Sequence, residues 1–260
     1  SRMRELSRKR AVCAMPVAGS FRSIDFALTN MEYSRVQKVA VLTQFNSRSL
    51  NEHLSSSKWW DFGRKQGGMF LFTPSFTGED GNWYRGTADA ITQNIDFIDQ
   101  YDPDYILILS GDHIYKMNYD EMLSFHKQNK ADATIAVIGV PMKEASRFGI
   151  MNTDGNGHIT EFEEKPEHPK SNLASMGIYI FSWKVLRKLL IADRDDPNSS
   201  HDFGKDIIPR FLNDGKTLMA YEFKGYWKDV GTIDSLWEAN MDLLDEKSAL
   251  NLDDPSWKIY

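Results

Sequence analysis

The sequence predicts an α/β fold with a mainly parallel sheet, and two observations carry this prediction. Short apolar segments that suit buried strands alternate with segments whose apolar residues recur at helical spacing. One of the strand segments, residues 106–110, stops abruptly at Gly111 and Asp112, as expected of a strand buried on both faces. Strand–helix alternation implies parallel pairing through right-handed crossovers. A chain of 260 residues is long enough for one such domain or two small ones.

The first half of the chain supplies the alternating pattern. The predicted strands are residues 38–43, 69–73, 106–110 and 133–140. The predicted helices are residues 46–56, 87–101 and 120–129. Thr87 is expected to act as the N-cap of the second of these helices, because its hydroxyl can accept a bond from an early backbone N–H.

After Pro141 the connections shorten and the pattern indicates β-hairpin insertions. The predicted strands are residues 149–152, 159–164, 174–181 and 217–223, and the predicted helices are residues 183–190, 205–212 and 233–244. The run Asp154-Gly155-Asn156-Gly157 lies between two of the strands and is rich in residues that favour tight turns. We therefore expect a β-hairpin at this point.

Composition excludes several classes of function. The net charge of -6 argues against nucleic acid or a membrane surface as the main partner, and no apolar run approaches membrane-spanning length. Cys13 is the single cysteine, so no intrachain disulfide can form, and a cytoplasmic location is the simplest expectation. Basic residues nevertheless crowd the start of the chain. They form either a solvated face or a pocket for small phosphorylated ligands.

Two isolated carboxylates are candidates for a magnesium site. Asp112 follows a predicted buried strand and sits beside Gly111, at the sheet edge where α/β proteins bind ligands. Asp229 lies close to Gly231 and could share the ion if the fold brings the two acids together. The alternative for Asp112 is that it merely caps the following helix.

Three further segments carry polar chemistry, each with a structural alternative. In residues 82–90, Trp83 and Tyr84 offer flat faces for a sugar or base, although the segment could be a rigid turn. Glu164 and Lys165 could contact sugar hydroxyls and a phosphate, or form a surface ion pair. In residues 199–205, His201 could contact a ligand, or the segment could be a helix-capping network.

Together and in this order, these segments resemble the ADP-glucose pyrophosphorylase (glucose-1-phosphate adenylyltransferase) family. The segments that carry the resemblance are SRMRELSRKRA, FRSIDFALTN, VLTQFNS, NWYRGTADA, ILSGDHIYKMNY, FEEKP, LASMGIYIF, SSHDFGKDIIP and YWKDVGTIDSLWEAN, which span nearly all of the chain. The resemblance implies a nucleotidyltransferase domain over residues 1–260, of the nucleotide-diphospho-sugar transferase (Rossmann-like) type. It also implies that a first strand with its Gly-rich loop and a C-terminal β-helix are missing from this chain.

The resemblance also implies roles for individual residues. The catalytic group is Arg2, Asp112 and Lys165. The Mg²⁺ ligands are Asp112 and Asp229. The substrate-binding group is Gln44, Tyr84, Gly86, Gly149, Glu164, Lys165 and Ser175. The group for a small anionic allosteric effector and its coupling to catalysis is Lys9, Arg10, Arg22, Gln44 and Trp83.

The activity implied is adenylyl transfer from ATP to glucose 1-phosphate, giving ADP-glucose and pyrophosphate for glycogen or starch synthesis, in a homo- or hetero-tetramer. The chain departs from the family pattern at one position, which leaves two alternative functions open. The family usually reads Arg-Ala-Lys-Pro where this chain has Arg10-Ala11-Val12-Cys13, and Val12 cannot donate a hydrogen bond or neutralise charge. The chain could instead be a weakly active or inactive regulatory subunit, or a nucleotidyltransferase for another sugar phosphate.

Overall fold

The computed structural model describes residues 3–56, 60, 62, 68–74, 83–245 and 248–260. They belong to two units. Unit 1 comprises Ser1–Thr73, Ser110–Asp120 and Gly225–Tyr260, and unit 2 comprises Pro74–Leu109 and Glu121–Lys224. Helices and strands are mixed in both units, so the predicted α/β class is confirmed.

The elements follow one another along the chain. The strands are β1 (Pro16–Val17), β2 (Phe21–Arg22), β3 (Lys38–Leu42), β4 (Gly68–Phe72), β5 (Tyr105–Ile108), β6 (His113–Tyr115), β7 (Ala133–Gly139), β8 (Gly149–Thr153), β9 (Ile159–Glu164), β10 (Leu173–Ser182), β11 (Leu218–Glu222) and β12 (Trp227–Asp229). The α-helices are α1 (Ser23–Tyr33), α2 (Arg48–Ser56), α3 (Thr87–Thr92), α4 (Ile95–Asp99), α5 (Tyr119–Gln128), α6 (Met142–Ala145), α7 (Trp183–Arg194), α8 (Ile208–Asn213) and α9 (Ile233–Asp242). Short 3₁₀ turns lie at Arg4–Ser7 and Val12–Ala14, and a π-helical turn lies at Phe203–Ile207.

Unit 1 contains short strand pairs around helix α1. Strands β3 and β4 are parallel, β1 and β2 are antiparallel, and β6 pairs antiparallel with β12. Helix α1 packs against two apolar clusters of unit 1 on different sides. Ile24 and Leu28 belong to the first cluster, and Phe26 belongs to the second. Ile114 and Val230, from the β6 and β12 segments, join the second cluster. This packing fixes the strand pair that carries both candidate metal ligands.

Unit 2 is built on a sheet in which β10 is the central strand. The order is β11-β7-β10-β8-β9, and β5 also pairs with β10. The ladder between β10 and β7 is irregular between Ser175 and Tyr179. Helices α7 and α8 and the π-helical turn contribute Leu186, Phe211 and Phe203 to the apolar core, which packs on residues of β7 and β10. This core supports the ends of β9 and β10, where several candidate substrate residues lie.

Strand direction differs from the mainly parallel sheet expected from the sequence. Among the pairs in the described part of the chain, β3 with β4 and β7 with β11 are parallel, whereas β10 is antiparallel to β5, β7 and β8. A run of apolar residues reports that a strand is buried, but it does not encode the direction of the neighbouring strand. The hairpin expected after Pro141 is confirmed, since β8 and β9 pair antiparallel around residues 154–157. Asp154 holds this turn by accepting hydrogen bonds from the backbone N–H groups of Asn156 and His158.

Two helix predictions need correction. The helix expected over residues 87–101 is divided into α3 and α4, because Asn94 leaves helical geometry and its side chain donates to the Ala90 carbonyl. Thr87 is not the N-cap of α3. Gly86 occupies that position, and the Thr87 hydroxyl instead donates to Asp202. No helix in the described ranges is long and apolar enough to cross a membrane.

Candidate active site

The two predicted metal ligands meet in unit 1. The register of the β6–β12 pair places Asp229 directly opposite His113, and Asp112 immediately precedes His113. One ligand atom from each of these three residues lies within 4.8 Å of the other two. Asp112 is followed by a strand, so the alternative that it caps a helix is wrong. The prediction that the fold unites two acids more than one hundred residues apart is therefore correct.

Backbone hydrogen bonds hold the Asp112 main chain and the Asp229 carboxylate. The backbone N–H of Val230 donates to the Asp112 carbonyl over 3.0 Å, and the N–H of Gly231 donates to Asp229 Oδ1 over 2.8 Å. The Asp112 side chain is one-third exposed, at 33 %, so solutes can reach it. Carboxylate oxygens are the ligands that hard divalent cations prefer, and a small solvent-reachable group of them fits such an ion. The residues present therefore fit a divalent metal.

Cys13 lies close to the Asp112–His113–Asp229 group, but its thiol is unreactive. A Cβ atom on Gly111 would lie 3.1 Å from the Cys13 Cβ, so glycine permits the close approach of the two segments. Burial, reinforced by the negative charge of Asp112, raises the pKa of the Cys13 thiol to about 12. The thiol stays protonated near neutral pH, and Cys13 is therefore neither a thiolate nucleophile nor a thiolate ligand.

In unit 2, the end of β9 presents the second group of predicted residues. Lys165 Nζ lies 3.0 Å from Glu164 Oε1, and the lysine ammonium is more exposed than the carboxylate. Gly149 pairs with Glu164 across the β8–β9 ladder. Cβ atoms added at Gly149 and at Gly204 would lie 3.0 and 2.5 Å from Glu164 Oε2. The carboxylate is thus packed between two glycines, and a Cβ at Gly204 would displace it.

Ser175 lies in the same neighbourhood, at the irregular part of β10. Its side chain hydrogen-bonds Tyr179, whose pKa is raised to about 12 by burial, with the charge of Glu164 adding to the shift. Four of the residues predicted to bind substrate, Gly149, Glu164, Lys165 and Ser175, thus lie in one neighbourhood of unit 2. Tyr179 and Gly204 were not predicted from the sequence. Their only sequence signal was membership of the LASMGIYIF and SSHDFGK segments.

The segments at residues 83–90 and 199–205 hold each other in place. The backbone N–H of Ala88 donates to the His201 carbonyl over 2.8 Å, and a Cβ on Gly86 would lie 2.3 Å from that oxygen. His201 is buried and its Nδ1 lies 2.8 Å from Asp193. Asp202 accepts from the backbone N–H groups of Gly204 and Lys205. The capping-network alternative is therefore confirmed for residues 199–205.

The side chains of residues 83–85 differ in exposure and partners. Trp83 is exposed, at 51 %, while Asn94 donates a long 3.4 Å bond to the Tyr84 hydroxyl. Arg85 donates to the buried carboxylate of Asp89. Burial alone would raise the pKa of Asp89, but the hydrogen bonds from Arg85 outweigh it and lower the pKa. Arg85 and Gly86 thus make the contacts of a rigid turn, and a ligand-contact role for Trp83, Tyr84 and Gly86 stays a prediction.

Of the residues predicted for effector binding and coupling, Lys9, Arg10, Arg22 and Gln44 belong to unit 1 and Trp83 belongs to unit 2, and their role stays a prediction. Lys9 and Arg10 are exposed. Arg22 Nη1 donates to the carbonyl and to the hydroxyl of Ser49 over 3.1 and 3.0 Å, so its guanidinium is partly engaged within the protein. Gln44 is half-buried, and Arg2 lies outside the described residues.

Comparison of the sequence with known proteins shows the family to which the chain belongs. Residues 1–246 match the family profile described as Nucleotidyl transferase. The whole chain is 60% identical over 260 residues to the glucose-1-phosphate adenylyltransferase of Clostridium perfringens and covers 67% of that protein. It is 58% identical to the Clostridium acetobutylicum enzyme of the same name and 59% identical to that of Halalkalibacterium halodurans, covering 68% of each. The chain thus spans about two thirds of the length of these relatives.

Proposed function

This chain belongs to the glucose-1-phosphate adenylyltransferases, within the nucleotidyl transferase family, and on that premise we propose that it forms ADP-glucose. The reaction joins glucose 1-phosphate to the adenylyl group of ATP and releases pyrophosphate, for glycogen or starch synthesis. The observation that carries the proposal is the proximity of Asp112 to Asp229 at the end of the β6–β12 pair. Two carboxylates with solvent access suit an ion that must also bind phosphate oxygens.

Unit 1 would hold the ion through these two carboxylates, and we propose Mg²⁺ as that ion. When bound, Mg²⁺ supplies positive charge to oxygens of the triphosphate. The protein's own part is to position the two carboxylates, through the backbone bond of Val230 to the Asp112 carbonyl and the bond of the Gly231 N–H to Asp229 Oδ1. Phosphoryl-transfer chemistry of this kind needs positioning and charge, so no protein nucleophile is required. The protonated Cys13 is consistent with that requirement.

Unit 2 would hold glucose 1-phosphate. The exposed ammonium of Lys165 is suited to the phosphate, and the carboxylate of Glu164 can accept hydrogen bonds from sugar hydroxyls. Ser175 offers a hydroxyl in the same neighbourhood. Gly149 and Gly204 lie close against the Glu164 carboxylate. This preorganisation supports the assignment of sugar binding to the end of β9.

Other parts of the proposal rest on the sequence resemblance. We assign Tyr84 and Gly86 to nucleotide-sugar binding, Arg2 to the triphosphate, and Gln44 and Trp83 to coupling between effector and catalysis. The exposed cations Lys9 and Arg10 would bind a small anionic effector. We further propose a tetrameric assembly that acts in the cytoplasm. The nucleotidyltransferase domain would comprise residues 1–260.

Val12 favours a second candidate, a weakly active or inactive regulatory subunit. It begins the 3₁₀ turn Val12–Ala14, at a position where a lysine is usual in the family. An aliphatic side chain there removes one positive charge from the phosphate environment. Activity measured without any partner subunit separates this candidate from the first.

The deciding experiment is magnesium-dependent pyrophosphate release from ATP and glucose 1-phosphate by the chain alone. We expect turnover, and we expect Asp112→Asn to reduce kcat by about 100-fold or more because a charged oxygen ligand is lost. Asp120→Asn is the matched control, because Asp120 is exposed near the start of α5. It should leave kcat unchanged.

Three results would change the proposal. Turnover retained in Asp112→Asn would remove Asp112 from the metal site. Turnover that appears only with a partner subunit or in Val12→Lys would establish the regulatory role. Preference for another nucleoside triphosphate or sugar phosphate in a competition series would assign a different nucleotidyltransferase reaction.

A further inference from the structure

His113 is the one residue of the metal group that the assignments above leave without a role. Its Nε2 atom lies 3.6 Å from Asp112 Oδ1, and its backbone pairs directly with Asp229. The imidazole belongs to the set of three ligand atoms within 4.8 Å of one another. A divalent cation bound to both carboxylates would therefore lie within reach of this ring after small adjustments.

The His113 ring is buried, and one of its nitrogens faces the candidate metal group. The residue is only 7 % exposed. Its Nε2 atom faces the Asp112 carboxylate, at 3.6 Å from Oδ1. A cation bound to that carboxylate would therefore have this imidazole nitrogen as a neighbouring donor.

Packing holds the ring in this orientation. The Trp227 ring contacts it edge to face, with the centroids 5.1 Å apart. Ile114 and Val230, the neighbours of His113 and Asp229, are fully buried in the same apolar cluster. Donors that are held in place before the ion arrives lose little conformational freedom on binding, which favours ligation.

We propose that Nε2 of His113 is a third protein ligand of the divalent cation, beside Asp112 and Asp229. An imidazole nitrogen with two carboxylates is a mixed donor set, and such a set favours Co²⁺ or Zn²⁺ over Mg²⁺, which prefers oxygen. The site would thus accept transition-metal ions more tightly than Mg²⁺. The inference rests on the proposed function only in placing the ion at these two carboxylates.

The test detects nitrogen ligation directly. Mn²⁺ is added alone, or with inorganic pyrophosphate, and pulsed electron paramagnetic resonance measures hyperfine coupling to nitrogen. We expect coupling that loses its ¹⁴N pattern when histidine is labelled with ¹⁵N, a measurement that needs no variant. Coupling should vanish in His113→Gln and persist in His168→Gln, since His168 is exposed and belongs to unit 2.

Affinities supply the second readout. In His113→Gln, Co²⁺ binding should weaken by about 10–100-fold, and Mg²⁺ binding far less. Equal weakening of both ions would overturn the proposal, because it would mean that His113 only orients Asp112. Absence of nitrogen coupling, or failure to retain Mn²⁺ with or without pyrophosphate, would also overturn it.

The same preparations are assayed for pyrophosphate release, so that the two proposals fail separately. Turnover without nitrogen coupling would overturn the role of His113 and leave the proposed function intact. Nitrogen coupling without turnover would support the ligand and count against the proposed function.

Discussion

At the residue scale, the position of the Glu164 carboxylate depends on two neighbouring glycines that have no side chain. Gly149 and Gly204 approach from β8 and from the π-helical turn, and a Cβ on either one would contact Oε2. Lys165 follows with a left-handed backbone, φ 49°, which is uncommon for a residue with a side chain. The ion pair of Glu164 with Lys165 is therefore part of a locally constrained strand end rather than a loose surface contact.

Gly204→Ala should damage sugar binding without removing any functional group. The new methyl carbon would lie 2.5 Å from Glu164 Oε2 and must displace the carboxylate. We expect the specificity constant for glucose 1-phosphate to fall by about 100-fold, since small misplacements of a positioning group have effects of this size. The KM for ATP should change much less in steady-state assays of pyrophosphate release.

Gly155→Ala is the control for that variant. A Cβ at Gly155 meets no atom within 4 Å, so this change in the hairpin turn should leave kinetics intact. If Gly204→Ala raised the KM for ATP as much as the KM for glucose 1-phosphate, Glu164 would not act in sugar binding.

At the element scale, His126 joins α5 to two strands of the unit 2 sheet. Its Nδ1 lies 2.8 Å from Thr134 Oγ1 in β7, and its Nε2 lies 3.1 Å from Ser182 Oγ at the end of β10. Ser182 donates its own hydrogen to the Ala131 carbonyl, so it accepts from the imidazole. The proton is then on Nε2, and in the neutral ring Nδ1 accepts from the Thr134 hydroxyl.

The His126 network should make the folded chain sensitive to mild acid. Burial lowers the pKa of His126 from its ordinary value of 6.5, a shift that Asp132 opposes and Lys127 reinforces. The unfolded chain therefore binds this proton more readily, and stability is lost as pH falls below about 6.5. We expect the midpoint of thermal unfolding to drop between pH 7 and pH 5.5.

The drop should be smaller in His126→Gln, which cannot take up the proton. Each variant is compared with itself at the two pH values, so that a general loss of stability does not affect the result. His168→Gln, an exposed histidine, should keep the full drop. An identical drop in His126→Gln would assign the acid sensitivity to other groups.

At the scale of the whole molecule, unit 1 is assembled from three separate stretches of chain. Its last stretch returns to helix α1, where Trp257 stacks on Tyr33 with the ring centroids 4.5 Å apart. The Trp257 indole N–H also donates to Asn30 Oδ1 over 3.0 Å. Asn30 in turn donates to the Tyr115 carbonyl in β6, so one amide connects the last stretch to the strand that follows Asp112.

Trp257→Ala should therefore destabilise unit 1. Fully buried tryptophans cost about 3–5 kcal/mol on truncation, and the half-buried Trp257 should cost about 2–3 kcal/mol, measured by urea unfolding. Trp237→Ala is the matched control, because Trp237 is 63 % exposed in α9, and its effect should stay within about 0.5 kcal/mol. Similar losses in the two variants would mean that the contacts of Trp257 with α1 contribute little.

The sequence by itself determined the α/β class, the order of most elements and the two carboxylates of the candidate metal group. Local burial is indicated by runs of apolar residues. Local backbone geometry is indicated by the residues of the turn at 154–157 and by the adjacent Gly111 and Asp112. Both properties depend mainly on residues that are neighbours in the sequence. The family resemblance in the sequence then assigned roles to Asp229, Glu164 and Lys165, for which the local patterns had left alternatives. Comparison with relatives bears out that resemblance.

Tertiary structure alone decided strand direction and the surroundings of each site residue. The antiparallel course of β10, the position of His113 opposite Asp229, and the packing of Gly204 on Glu164 all join residues that are distant in the chain. Such contacts depend on how separate elements stack, and side-chain periodicity records only which face of an element is apolar. The metal pair was therefore predictable as two residues, whereas the buried imidazole beside it was visible only in the fold.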